Sequence, residues 1–150
     1  MHNEVVLRVY DLSNGQAKAI SKKLLGVQLD GIWHTSIEVF GSEYFFSTQI
    51  MKCVPGMTKY GLPVHVHNLG ASNKTIVELE EELSKLKKKF NFKTYNVLLN
   101  NCNHFSDDVV FFLLEKNLPK YIMEIHESVL RTPLAASFIG MGNQFNPGAE

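Results

Sequence analysis

Sulfur is scarce in this chain: its 150 residues hold two cysteines, Cys53 and Cys102. A small secreted scaffold stapled by disulfides carries more, in pairs, so that class is set aside and both thiols are expected to be free. An excess of either charge is also missing. Fifteen basic residues balance fifteen acidic ones, for a formal net charge of zero. That removes the electrostatic footprint of a nucleic-acid binder or of a protein held to an anionic membrane. Long apolar runs are absent too. The longest, Val109 to Leu114, falls far short of the roughly 20 residues that span a bilayer. The start, Met1-His2-Asn3-Glu4, has neither the basic stretch nor the apolar core of a secretory signal. These absences predict a cytoplasmic protein, also able to occupy the nucleus, with no membrane span and no nucleic-acid partner. What is present, 45% hydrophobic residues over 150 positions, suffices for one domain with a real core.

The pattern mixes the two periods of regular structure. Val5, Leu7 and Val9 alternate with Val6, Arg8 and Tyr10, the period of a strand. Asp11, Ser13, Asn14 and Gly15 then form a turn, and Ala17, Ile20 and Leu24 predict a short helix from Gln16 to Leu25, stopped by Gly26. His34 to Phe40 and Glu43 to Ser47 read as two strands joined at Gly41-Ser42. Residues 49 to 63 contain Pro55, Gly56, Gly61 and Pro63 and read as a long loop or irregular hairpin, with a short strand from Val64 to His67 after it. Thr75 and Glu78 have the spacing of a capping box, and Ile76, Leu79, Leu83, Leu86 and Phe90 continue as an amphipathic helix. A further helix is expected from Cys102 to about Lys116, and a shorter one around Glu127 to Arg131. From Gly140 onward, Gly, Asn and Pro predict a flexible tail behind a single catalytic domain spanning residues 1–139.

Two residues stand out chemically. Cys102 lies in Asn100-Asn101-Cys102-Asn103-His104, where Asn100 or Asn101 suits a helix cap. A cysteine in the first helical turn meets unpaired backbone N–H groups and the positive end of the helix dipole, which favour the thiolate nucleophile. The same N–H groups suit an oxyanion. Such a thiol also needs a proton acceptor, and His is the usual one near neutral pH. Of six histidines, His34 is best placed. It follows Gly31-Ile32-Trp33 at the head of a strand, where Trp33 would shield it from water. The bland alternatives are a small buried hydrophobe for Cys102 and a packed, hydrogen-bonded ring for His34. Spacing alone does not pair residues so far apart.

Resemblance pairs them. Val9-Tyr10-Asp11-Leu12-Ser13, Leu25-Gly26, Gly31-Ile32-Trp33-His34-Thr35-Ser36, Tyr95-Asn96 and Asn101-Cys102-Asn103 keep the order and content of the PPPDE family, and within it the chain resembles the DeSI-type deSUMOylating isopeptidases. The resemblance covers roughly residues 4 to 134. It implies an α+β fold, the circularly permuted papain-like cysteine peptidase fold, with a small antiparallel sheet packed with helices. The His motif then precedes the Cys motif, the reverse of papain. It further implies a His34–Cys102 dyad, no cofactor, a homodimer with its cleft at the subunit interface, and SUMO or ubiquitin conjugates as partners. Gln28 is a candidate oxyanion helper by analogy with papain-like sites. Asn101 and Asn103 read as capping and hydrogen-bonding groups beside the thiol, and His104 as an unlikely base on another helix face.

Two competing readings were weighed. Cys53, His65 and His67 invite a zinc site, but no Cys-x-x-Cys pair or fourth ligand accompanies them. Alternation would place Val64 and Val66 toward the core with both histidines exposed. No metal is therefore expected. The same dyad would also serve a protein S-acyl (palmitoyl) thioesterase, and a chain without working chemistry would be a binding module for a modifier or a transport factor.

Overall fold

The computed structural model describes residues 3–133; the predicted tail lies outside them. Five strands form one antiparallel sheet: β1 (Glu4–Asp11), β2 (Trp33–Val39), β3 (Ser42–Phe46), β4 (Ile50–Cys53) and β5 (His65–Ala71), in the order β4-β3-β2-β1-β5. Four helices accompany it: α1 (Gln16–Leu25), α2 (Ile76–Leu86), α3 (Cys102–Leu114) and α4 (Lys120–Leu130). The mixed α+β architecture is the one expected.

Strand alternation builds the core. Val5, Leu7 and Val9 of β1, Ile37 and Val39 of β2, and Tyr44 and Phe46 of β3 share one face. They pack on Phe105, Val109, Val110 and Leu113 of α3 and on Leu79 and Leu83 of α2, all buried. Each such side chain contributes about 2 kcal/mol of burial. This packing clamps α3 against β2 and β3 and so fixes where its first residue, Cys102, lies.

Helix ends follow local chemistry. Gly15 and Gly26 flank α1 with φ of 88° and 78°, values that a side chain disfavours, so the predicted span is the observed one. Thr75 and Glu78 form the expected capping box on α2, although that helix ends at Leu86 and Phe90 is buried in the turn beyond it.

One expectation is sharpened and two are corrected. The stretch read as a long loop or irregular hairpin opens with β4, four residues paired with β3 from Glu43↔Cys53 to Phe46↔Ile50. The last helix starts at Lys120 behind Pro119, seven residues before the predicted position, because Ile122, His126 and Val129 bury one face of it. On β5 the valines do not face the core: Val66 is 57% exposed, while His65 is exposed as expected and His67 is half-buried against Tyr121. His67 Nε2 lies 2.6 Å from the Tyr121 hydroxyl. Cys53 and the two histidines sit on opposite edge strands, so they do not form one site.

Candidate active site

Asn101 caps α3. Its Oδ1 accepts from the N–H groups of Asn103 at 2.8 Å and His104 at 3.4 Å. His104 closes a capping box by accepting the Asn101 N–H on Nδ1 at 3.0 Å. Cys102 is therefore the first helical residue, as the cap chemistry predicts. Asn103 ties this turn to β2. Its Nδ2 donates to the Trp33 carbonyl at 2.9 Å, and its Oδ1 accepts from the Thr35 hydroxyl at 2.8 Å. The Thr35 hydroxyl also lies 2.8 Å from Ser106 Oγ. Three side chains thus lock the nucleophile's helix to the histidine's strand.

The thiol is only 9% exposed. Burial pushes its pKa up to about 11, against the backbone N–H groups of Thr35, Asn103 and Cys102 itself, which pull it down. At this helix start desolvation outweighs the N–H groups, so the resting sulfur is a thiol and needs a base. The thiol donates to the Asn103 Oδ1 at 3.7 Å.

His34 opens β2 opposite Tyr10. Alternation sends Thr35 toward α3 and His34 to the other side of the strand. There its ring stacks on Tyr60 with centroids 3.8 Å apart and meets Phe45 edge-on at 5.5 Å and Tyr10 at 5.9 Å. It is 0% exposed, and neither ring nitrogen has a hydrogen-bond partner among the described residues. Burial, with Lys59 adding a smaller effect, pulls its pKa down to about 3. The ring is neutral, and no hydrogen bond joins it to Cys102. Beneath it the buried Glu43 carboxylate accepts from the Tyr10 hydroxyl at 2.7 Å, from the Ser36 hydroxyl, and from the Gly56 N–H at 2.9 Å. Glu43 thereby pins the loop that carries Tyr60.

Cys102 opens on a cavity of about 390 Å³ whose walls include Leu12, Leu29, Trp33, Leu98, Ile125 and Val129, with Asn101, Asn103 and His126 as its polar points. Trp33 lines the thiol's pocket, whereas the His34 ring that it was expected to shield is covered by Tyr60, Phe45 and Tyr10. Its indole covers Gly31 so closely that a Cβ there would stand 2.3 Å from the ring. His65 and Tyr121 meet the same indole edge-on. Gln28 is not brought to the thiol: its Nε2 donates to the Lys18 carbonyl at 2.8 Å, on an exposed surface outside the pocket.

Sequence reasoning missed several neighbours. Tyr60 and His126 reach the site from elements distant in the chain, and no local signal marks them. His104 was recoverable, because it stands three residues after the cap, where a capping box usually carries Glu or Gln.

Comparison with known proteins identifies the fold's family. The profile described as "PPPDE putative peptidase domain" matches residues 3–142. Desumoylating isopeptidase 1 of Xenopus laevis is 45% identical over 132 residues, covering 87% of this chain and 78% of that protein. The Homo sapiens protein of the same name is 44% identical over 131 residues, covering 86% and 78%. The helix-borne cysteine, the preceding histidine strand and the α+β architecture fit a papain-like frame, and this chain belongs to the PPPDE peptidase family, as a hydrolase of the cysteine type.

Proposed function

We propose that this protein is a cysteine isopeptidase that releases a SUMO-like modifier from lysine side chains, with Cys102 as nucleophile and His34 as general base. The observation that carries the reading is the placement of Cys102. It is the first residue of a capped helix, locked to the His34 strand, with its thiol opening on a largely apolar pocket of about 390 Å³. The relatives named desumoylating isopeptidase 1 supply the substrate class.

In this reading His34 takes the thiol proton, and the sulfur attacks the carbonyl carbon at the modifier's C-terminus. The N–H groups at the head of α3 stabilise the oxyanion. Collapse expels the lysine amine, which takes the proton from His34 and leaves a thioester on Cys102. Water, deprotonated by His34, attacks the thioester. The modifier leaves as a carboxylate and the thiol is restored. The neutral imidazole fits the role of a base, provided the ring leaves its stack on Tyr60 to meet the sulfur.

The test uses SUMO and ubiquitin probes carrying a C-terminal electrophile. The expected result is a covalent SUMO adduct on wild type, none on Cys102→Ser, and labelling by His34→Ala slowed by about 10²–10⁴-fold. If neither probe labels the wild type, the isopeptidase reading is lost. The apolar pocket favours a second reading, hydrolysis of an S-acyl thioester whose chain would lie among Leu29, Leu98, Ile125 and Val129. Turnover of a fluorogenic S-acyl substrate without probe labelling would select it.

A further inference from the structure

We propose that His126 on α4 is a positioning residue for the nucleophile: as a neutral imidazole it accepts from the Asn101 side-chain amide and fixes the cap that presents Cys102. The inference rests on the reading of Cys102 as the nucleophile.

The Asn101 side-chain amide is fully engaged. Asn101 Nδ2 has two hydrogens. One goes to the Val97 carbonyl at 2.6 Å and the other to His126 Nε2, also at 2.6 Å. Its Oδ1 takes the N–H groups of Asn103 and His104. Every donor is used, and both lone-pair directions of the oxygen are taken. Turning the amide over would set its NH₂ against the helix N–H groups and its oxygen against the Val97 carbonyl. His126 contributes the one contact in this set that comes from a separate element, so it couples α4 to the residue just before the nucleophile.

That contact needs a bare Nε2, and therefore a proton on Nδ1. His126 is 8% exposed, and its Nδ1 has no aligned hydrogen-bond partner; the Met123 carbonyl one turn back lies near the ring. Burial and then His104 pull its pKa down to about 4, so the neutral form is present at neutral pH. The rings of His104 and His126 are 5.1 Å apart. His104 grips the Asn101 backbone N–H as His126 grips the side chain. A proton on the accepting Nε2 of His126 would turn it into a donor facing the N–H it now receives. Among the described residues, the other titratable groups on the pocket wall are Cys102 and Tyr95, and no carboxylate, lysine or arginine lines it.

The test reads the thiol directly. Iodoacetamide alkylation of Cys102 is followed against pH by peptide-resolved mass spectrometry, which separates it from Cys53, in wild type and in His126→Gln, His126→Asn and His126→Phe. Gln Oε1 stands where Nε2 does, Asn stops short, and Phe fills the space without an acceptor. The expected result is a rate for His126→Gln within about twofold of wild type. The Asn and Phe variants should be about 5–10-fold slower at neutral pH, the loss expected for one hydrogen bond, with the midpoint of the pH profile moved upward. Equal behaviour of Gln, Asn and Phe overturns the proposal. If Phe fails to fold, the Gln and Asn pair decides. In the wild type, ¹⁵N NMR should show His126 protonated on Nδ1; a proton on Nε2 also overturns it. Hydrolysis that survives Cys102→Ser would defeat the reading of the nucleophile, while the alkylation result would still decide how the thiol is presented.

Discussion

The two halves of the candidate site are built in opposite ways. The Cys102 half is held by directed bonds. Asn101 caps it, Asn103 and Thr35 staple it to β2, and the thiol faces a cavity. The His34 half is held by packing alone: three aromatic rings surround an imidazole whose nitrogens bond to nothing. Desolvation acts on both halves but in opposite directions, pushing the thiol up to about 11 and the imidazole down to about 3. Each is thereby neutral at rest. A site assembled this way is ordered at the nucleophile and dormant at the base, so the step that awakens it should involve the aromatic side.

The largest expected effect breaks the base half outright. His34→Ala should lower kcat/KM by about 10²–10⁴-fold while leaving the fold intact, as checked by circular dichroism. An unchanged rate would mean the imidazole is only packing. The next strikes the directed bonds. Asn103→Ala leaves the Trp33 carbonyl without this donor and removes the acceptor of the Thr35 hydroxyl. It should destabilise the protein by about 1–3 kcal/mol in urea unfolding. A neutral result would show that the staple is idle. A smaller effect sharpens the contrast: Tyr60→Ala removes the stacked ring and should speed Cys102 alkylation near neutral pH by a few-fold, because it frees His34 to move. Slower alkylation would instead make Tyr60 a support for the base.

The last effect is a slope. Histidines in the unfolded chain protonate near pH 6.5, whereas burial holds His34 at about 3 and His104 and His126 at about 4 in the folded state. The unfolded state then binds more protons between those values, so stability falls as pH drops below about 6.5 and keeps falling until the folded values are reached. Each histidine contributes at most about 1.4 kcal/mol per pH unit. Urea midpoints measured between pH 7 and 5 should drop accordingly, and His126→Gln should flatten the trend.

The sequence made one half more legible than the other. Capping chemistry is local, so Asn101 and Cys102 could be placed at a helix start from five consecutive residues, and α1 could be bounded by its two glycines. The surroundings of His34 are nonlocal. Tyr60 lies across a Pro- and Gly-rich stretch that also hid β4, whose four residues are only partly buried and leave no clean alternation. The facing of β5 was misread because period-2 alternation identifies two faces without saying which is inward. His67 is half-buried against Tyr121, His65 keeps an exposed place beside Trp33, and the valines are left outside. His126 sits mid-helix in a segment whose helical start was itself read seven residues too late.

Gly31 has a practical consequence for anyone wishing to control this enzyme. Its missing side chain is the space into which the Trp33 indole folds, so Gly31→Ala would act as a wedge that forces the indole off its seat. Because that indole is part of the pocket wall, residue 31 is a dial for the width of the cavity. It offers a bump-and-hole handle: an allele made there could be addressed by a matched inhibitor that the unmodified protein would refuse.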